Sequence, residues 1–254
     1  LIVLVLSILC ISQKSIDDKP IILDGATDPY ASQFIFVATD FGVFSFNRNT
    51  ETWDRITQTK SQIIGLDEGI LWNGSEEGLG SADVRINDWR TYDIPGFIQG
   101  LDFDDNYVWI GNDSGLSRFD KFQETWVKVS SLKITHLLLE KKYLWLATDS
   151  GVFRFNQEFE KIEPVPAPKI SYYYIINTPN RIWFLAESLL IAYEKNTENW
   201  SNYPAMEISD YSNLGDSLFV VSNNQVYIFE PKANSWLEFR DVPEVTKVNG
   251  ILVN

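Results

Sequence analysis

The chain has 254 residues, 44% hydrophobic and 14% aromatic, which is enough apolar surface for a sizeable core and excludes wholesale disorder. Its formal net charge of −14 has the wrong sign for displacing counterions from nucleic acid or for settling on an anionic membrane surface. A single cysteine, Cys10, excludes an intrachain disulfide and a thiolate metal cage, and a single histidine, His136, excludes a multi-histidine metal centre.

The first element in chain order is the apolar run Leu1 to Ile11, too short to span a bilayer comfortably. It resembles the apolar stretch of a secretory signal peptide that lacks its basic start, with Cys10 and Ser12 as small residues near a cleavage point. Residues 1–12 are therefore expected to be a signal-like segment, or else a retained anchor, and residues 13–254 one domain outside the cytoplasm. Periplasm, cell surface and secretion all fit. Membrane contact is expected only through such an anchor.

Internal repetition follows. Six segments align: Phe34 to Val43, Ile70 to Leu79, Val108 to Leu116, Leu144 to Val152, Ile182 to Leu189 and Leu218 to Val226. The position of Gly42 recurs at 78, 115, 151, 189 and 225, in steps of 36, 37, 36, 38 and 36 residues. A second marker runs in phase: Trp53, Trp89, Trp126, Trp200 and Trp236, with Ile162 in the fourth repeat. Each unit holds four short apolar runs bounded by Gly, Asn, Asp and Pro, which predicts four strands. No run shows the three-and-four apolar spacing of a helix. Four-stranded units repeated radially make a β-propeller, and burial on both faces of each blade explains continuous runs such as Leu137-Leu138-Leu139. The expected fold is all-β, with blade boundaries near 60, 97, 132, 168 and 205. Trp72, Trp109, Trp145 and Trp183 follow the repeat and are expected to fill the space between adjacent blades.

The copies Val108 to Asp120, with Trp109, Ile110, Gly111, Gly115, Leu116, Arg118, Phe119 and Asp120, and Leu144 to Asn156 carry a resemblance. They resemble the two-component regulator propeller repeats, over about residues 34 to 240. The resemblance implies a propeller and leaves function open, since such repeats serve sensors and envelope proteins alike. Beyond the sixth unit, Val245 to Asn254 reads as a hairpin on the Asn249-Gly250 turn, the start of a seventh blade cut short at Asn254. Alternatively, the strand around Pro20 to Asp24 helps to close the ring.

Two sets of residues are candidates for binding. Asp40, Glu76, Asp113, Asp149 and Glu187 recur at the turn between the second and third strands, so a propeller would place them on one rim. There they would either attract a basic partner or close their own turns by bonding backbone amides ahead of the glycine. Tyr172-Tyr173-Tyr174 breaks the repeat in the first strand of its unit, the strand that faces a propeller's channel, and Tyr172 and Tyr174 in particular could contact a glycan or peptide. Tyr203 and Tyr211, expected in the next inter-blade loop, would join them. No catalytic set, cofactor motif or metal-ligand spacing is present in the sequence. The expected function is a non-enzymatic binding or sensing module for an unknown protein, peptide or glycan. A polysaccharide lyase or hydrolase and a structural envelope component are the alternatives. The enzyme would need paired carboxylates that depart from the repeat.

Overall fold

Each repeat forms one four-stranded antiparallel sheet whose strands pair in chain order, from the first strand to the fourth. The computed structural model describes residues 3–4, 22–27, 33–84, 88–187, 189–204, 207–223, 225–230, 233, 235–238 and 252–253. The six blades run from Ile22 to Thr57, Ser61 to Tyr92, Ile98 to Ser130, His136 to Pro164, Tyr172 to Pro204 and Asp210 to Glu238. These limits match the boundaries expected from the period. The chain forms two compact units, one of residues 15–165 with blades 1 to 4, the other of residues 1–14 and 166–254 with blades 5 and 6.

Blade 3 shows how sequence becomes sheet. Its strands are Ile98–Phe103, Tyr107–Asn112, Gly115–Asp120 and Thr125–Ser130. The second strand is the most apolar, and Val108, Trp109, Ile110 and Gly111 are all buried. The fourth strand is exposed or half-buried throughout and forms the outer edge. Its Trp126 sits directly across from Phe119 of the third strand. The same pairing recurs as Trp53 with Phe46, Trp200 with Tyr193 and Trp236 with Phe229. The fourth blade substitutes Ile162 with Phe155. The second sequence marker is thus an outer-strand side chain seated on an aromatic of the third strand, except in blade 2, where Trp89 faces Ala82.

The second-strand tryptophans join neighbouring blades, as expected. Trp72 of blade 2 lies edge-on to Phe119 of blade 3, with ring centroids 5.7 Å apart. Trp109 of blade 3 stands 5.4 Å from Phe155 of blade 4. In the other unit Trp183 of blade 5 stands 5.0 Å from Phe229 of blade 6. These rings are buried, and each fills the space between twisted sheets that smaller side chains would leave void.

In the first unit, the first strands of blades 1 to 4 lie side by side. Two carboxylates tie them together. Asp24 accepts from the Ile64 amide at 2.9 Å, and Asp102 accepts from the Leu139 amide at 2.6 Å. The first strand of blade 1 is Ile22–Thr27, so the segment around Asp24 completes its own blade. Leu252–Val253 lies beside Asp210–Leu214 and pairs antiparallel with Val3–Leu4. The rest of the signal-like segment, including Cys10, and the Asn249-Gly250 turn lie outside the described residues.

Candidate functional site

The five acids stand where the repeat put them, in the turn between the second and third strands of blades 1 to 5. Glu76, Asp113, Asp149 and Glu187 are exposed, and Asp40 is half-buried. Glu76, Asp113, Asp149 and Glu187 are not the residues whose bonds close these turns, which corrects one of the two expectations for these four. The closing residue stands one position earlier. Thr39 Oγ1 donates to the Gly42 carbonyl at 2.7 Å and accepts from the Phe41 amide at 3.1 Å. Thr148 repeats this with Gly151 at 2.7 Å and Ser150 at 3.1 Å, and Ser75 with Gly78 and Glu77 at 3.1 Å each. In blade 3, Asn112 Oδ1 accepts from the amides of Ser114 and Gly115, both at 2.9 Å. A short hydroxyl or amide reaches its own backbone from the end of the strand, while the acid at the tip points outward. Glu76 meets Lys60 at 4.0 Å, a solvated pair of little energetic weight.

The tyrosine run divides. Tyr172 is fully buried; its hydroxyl donates to the Pro168 carbonyl at 3.3 Å, and burial pushes its pKa up to about 12. Its assignment as a contact residue is corrected on that ground. Tyr173 and Tyr174 are the exposed pair, at 43% and 39%. The physical reason is a break in strand register: Tyr172 faces Ala186 and Tyr174 faces Leu185, so Tyr173 is an extra residue with no partner position. Such a bulge re-aims the side chains that follow. The Tyr174 ring lies edge-on to Tyr211, with centroids 5.2 Å apart, so Tyr211 joins the surface as expected. It does so from the first strand of blade 6, not from a loop. Tyr203 turns inward instead, onto Trp183 at 5.5 Å and Phe229 at 5.0 Å.

Two titratable groups that the repeat did not single out sit on adjacent first strands. Burial holds Asp102 up to about 6, against the pull of its bonds from Leu139 and Phe103. Both of its oxygens accept backbone amides, from Leu139 at 2.6 Å and Phe103 at 2.8 Å, so it joins the first strands of blades 3 and 4. Burial likewise pushes His136 down to about 4. Among the described residues, no three His, Cys, Asp or Glu side chains come together as a metal cage.

No family model matches the chain, and no curated protein matches it by sequence. Solved structures do. One is the extracellular domain of BT4673 from B. thetaiotaomicron, described as a one-component system in one structure and as a hybrid two-component system in another. Its first structure is 15% identical, with TM-score 0.77, covering 92% of this chain and 36% of that one. U3-55K is 12% identical with TM-score 0.71, covering 92% of this chain and 85% of that one. The extracellular domain of the hybrid two-component system BT3049 from B. thetaiotaomicron is 14% identical with TM-score 0.68, covering 93% and 38%. The chain spans about a third of the length of the BT4673 domain, 36%. The chain therefore has the β-propeller fold, in six four-stranded blades, shared with the extracellular domains of these two-component systems.

Proposed function

We propose that the chain is a non-enzymatic binding or sensing module that works outside the cytoplasm and recognises a glycan, peptide or protein. The observation that carries this reading is the exposed pair Tyr173 and Tyr174, with Tyr211 beside it. These rings stand on first strands of blades 5 and 6, and Tyr173 occupies the bulge position that the first strands of blades 1 to 3 share. A tyrosine offers a flat apolar face and a hydroxyl with few rotamers to immobilise, which suits recognition of sugar rings or peptide side chains. The fold shared with extracellular domains of two-component systems supports the location and the sensing role. The acids at the second-to-third turns, Asp40, Glu76, Asp113, Asp149 and Glu187, supply a negative field that steers a basic partner. The position of Leu252–Val253 beside the first strand of blade 6 supports reading that segment as the first strand of a further blade.

The test is a screen of soluble glycans and peptides against the protein and its Tyr173→Ala/Tyr174→Ala variant. A ligand whose binding is lost in the variant, with unfolding unchanged, supports the proposal. Ligands that bind both proteins equally would remove the tyrosines from the site. Turnover of a polysaccharide by the unmodified chain would replace the module with an enzyme.

A further inference from the structure

A second site lies in the first unit, apart from the tyrosine surface. Between blades 3 and 4 is a cavity of about 300 Å³, lined by Asp104, Asp105, Asn106, Tyr107, Trp109, Arg118 and Gln157. That volume is at the lower end of small-molecule sites. The first-to-second turn of blade 3 supplies Asp105 and Asn106, and Asp104 holds that turn by accepting from the amides of Asn106 at 2.9 Å and Tyr107 at 2.8 Å. Its other oxygen accepts the Trp109 indole at 2.7 Å, so Asp104 is committed to the wall.

Arg118 is fixed in place. Its guanidinium lies 4.9 Å over the Tyr107 ring and donates to Glu160 of blade 4 at 2.8 Å. A guanidinium held from two sides keeps further N–H donors in a defined plane. Gln157 comes from the third-to-fourth turn of blade 4, anchored by its own amide on the Lys142 carbonyl at 3.1 Å. Its side-chain nitrogen is buried with no hydrogen-bond partner among the described residues. An unmet buried donor is costly, and an acceptor brought by a ligand removes that cost.

We propose that this cavity binds a small zwitterion of the α-amino-acid class. The donors, Arg118 and Gln157, take the carboxylate. The exposed Asp105 and the amide oxygen of Asn106 take the ammonium. The chain as a whole carries −14, and Asp104, Asp105 and Glu160 surround the cavity, so a purely anionic ligand is disfavoured. A zwitterion adds no net charge and satisfies both sets of groups.

Calorimetric titration of the whole chain tests this with four probes: free α-amino acids, the amines that lack the carboxylate, N-acetyl amino acids and neutral monosaccharides. A free amino acid should bind. Its amine and its N-acetyl form should each bind about tenfold more weakly or worse, since each loses one charged contact. Gln157→Leu and Asp105→Asn should each weaken binding by a similar factor. In the absence of ligand, Gln157→Leu should leave unfolding unchanged or later, because it removes an unmet donor; a purely structural glutamine would be missed. Should that variant fold poorly, Gln157→Glu keeps the shape and sets a carboxylate against that of the ligand, again abolishing binding. Absence of binding across the amino acids, monosaccharide binding in their place, or binding indifferent to these variants overturns the proposal. Tyr173→Ala/Tyr174→Ala should leave amino-acid binding intact, so the failure of either site is read separately.

Discussion

The indole nitrogen of Trp109 donates to the carboxylate of Asp104, five residues earlier, at 2.7 Å. The same carboxylate closes the turn that begins the strand bearing Trp109. A local turn is thereby coupled to the ring that packs blade 3 against blade 4. The five-residue spacing recurs as Asp67 and Trp72 in blade 2, with a different outcome. Asp67 is drawn to Lys121 of blade 3, and the Trp72 indole nitrogen has no hydrogen-bond partner among the described residues.

Truncation at this pair should separate packing from polar satisfaction. Trp109 is 1% exposed, and Trp109→Ala should cost about 3–5 kcal/mol through the cavity it leaves between blades. Asp104→Ala leaves the ring in place but strands its N–H and two turn amides, and should cost about 1–3 kcal/mol. Denaturant unfolding monitored by fluorescence measures both. A loss under about 1 kcal/mol at Trp109 would mean that the interface repacks around the void.

The second-to-third turns give a sharper contrast between neighbours. Thr148→Ala removes the hydroxyl that bonds the Gly151 carbonyl and the Ser150 amide, and should destabilise by about 1 kcal/mol. Asp149→Asn, one residue later, should change stability by less than about 0.5 kcal/mol, since the side chain is an exposed surface group. Equal effects at the two positions would restore the acids as turn closers.

Much of this architecture was legible because it repeats. A step near 36 residues, the Gly42 position and the two tryptophan series define six blades, and the limits agree to within a few residues. What escaped was either smaller than the period or independent of it. The third-to-fourth turns place Glu51, Glu124, Glu160 and Glu198 at φ of 56, 51, 48 and 58°. This left-handed glutamate just before the outer strand is a further repeat marker, hidden because glutamate does not announce such a conformation as glycine does. The bulge that exposes Tyr173 left no mark in residue type. Asp102 and His136 look ordinary in sequence, since it is chiefly burial that shifts them. The cavity at Arg118 and Gln157 joins turns from two blades, which no local pattern reveals.

Glycine is required where the third strand of blade 3 begins, although blades 5 and 6 start theirs with Leu189 and Gln225. Gly115 has φ +138°, and a Cβ there would stand 1.9 Å from the Ser130 carbonyl oxygen. That oxygen belongs to the backbone of the fourth strand and cannot swing away as a side chain would. Gly115→Ala should therefore cost more than about 3 kcal/mol, combining backbone strain with a steric clash. Loss of the outer strand's amide protection in hydrogen exchange would locate the damage. A variant that unfolds like the parent would require the blade to open at that edge without penalty.

The pH dependence follows from two opposed groups on adjacent strands. Asp102 has a folded value raised to about 6 from 3.8, so the folded chain binds more protons than the unfolded one between those values. Its contribution is complete below pH 3.8 and is lost as pH rises through about 6. His136 has a folded value lowered to about 4 from 6.5, so the unfolded chain binds more protons in that interval. Its contribution is complete above pH 6.5 and is lost as pH falls through about 4. Each shift corresponds to about 3 kcal/mol at most, and the windows overlap, so the two slopes largely cancel in the parent. Removing either group exposes the other. Relative to the parent, Asp102→Asn should lose stability progressively as pH falls from 6.5 to 4, and His136→Gln should gain stability over the same fall. Urea unfolding of the three proteins across that interval measures the differences directly. If the variants differ from the parent by an amount that does not change with pH, neither group is buried in the state that titrates, and the Asp102 bond to Leu139 carries no proton linkage.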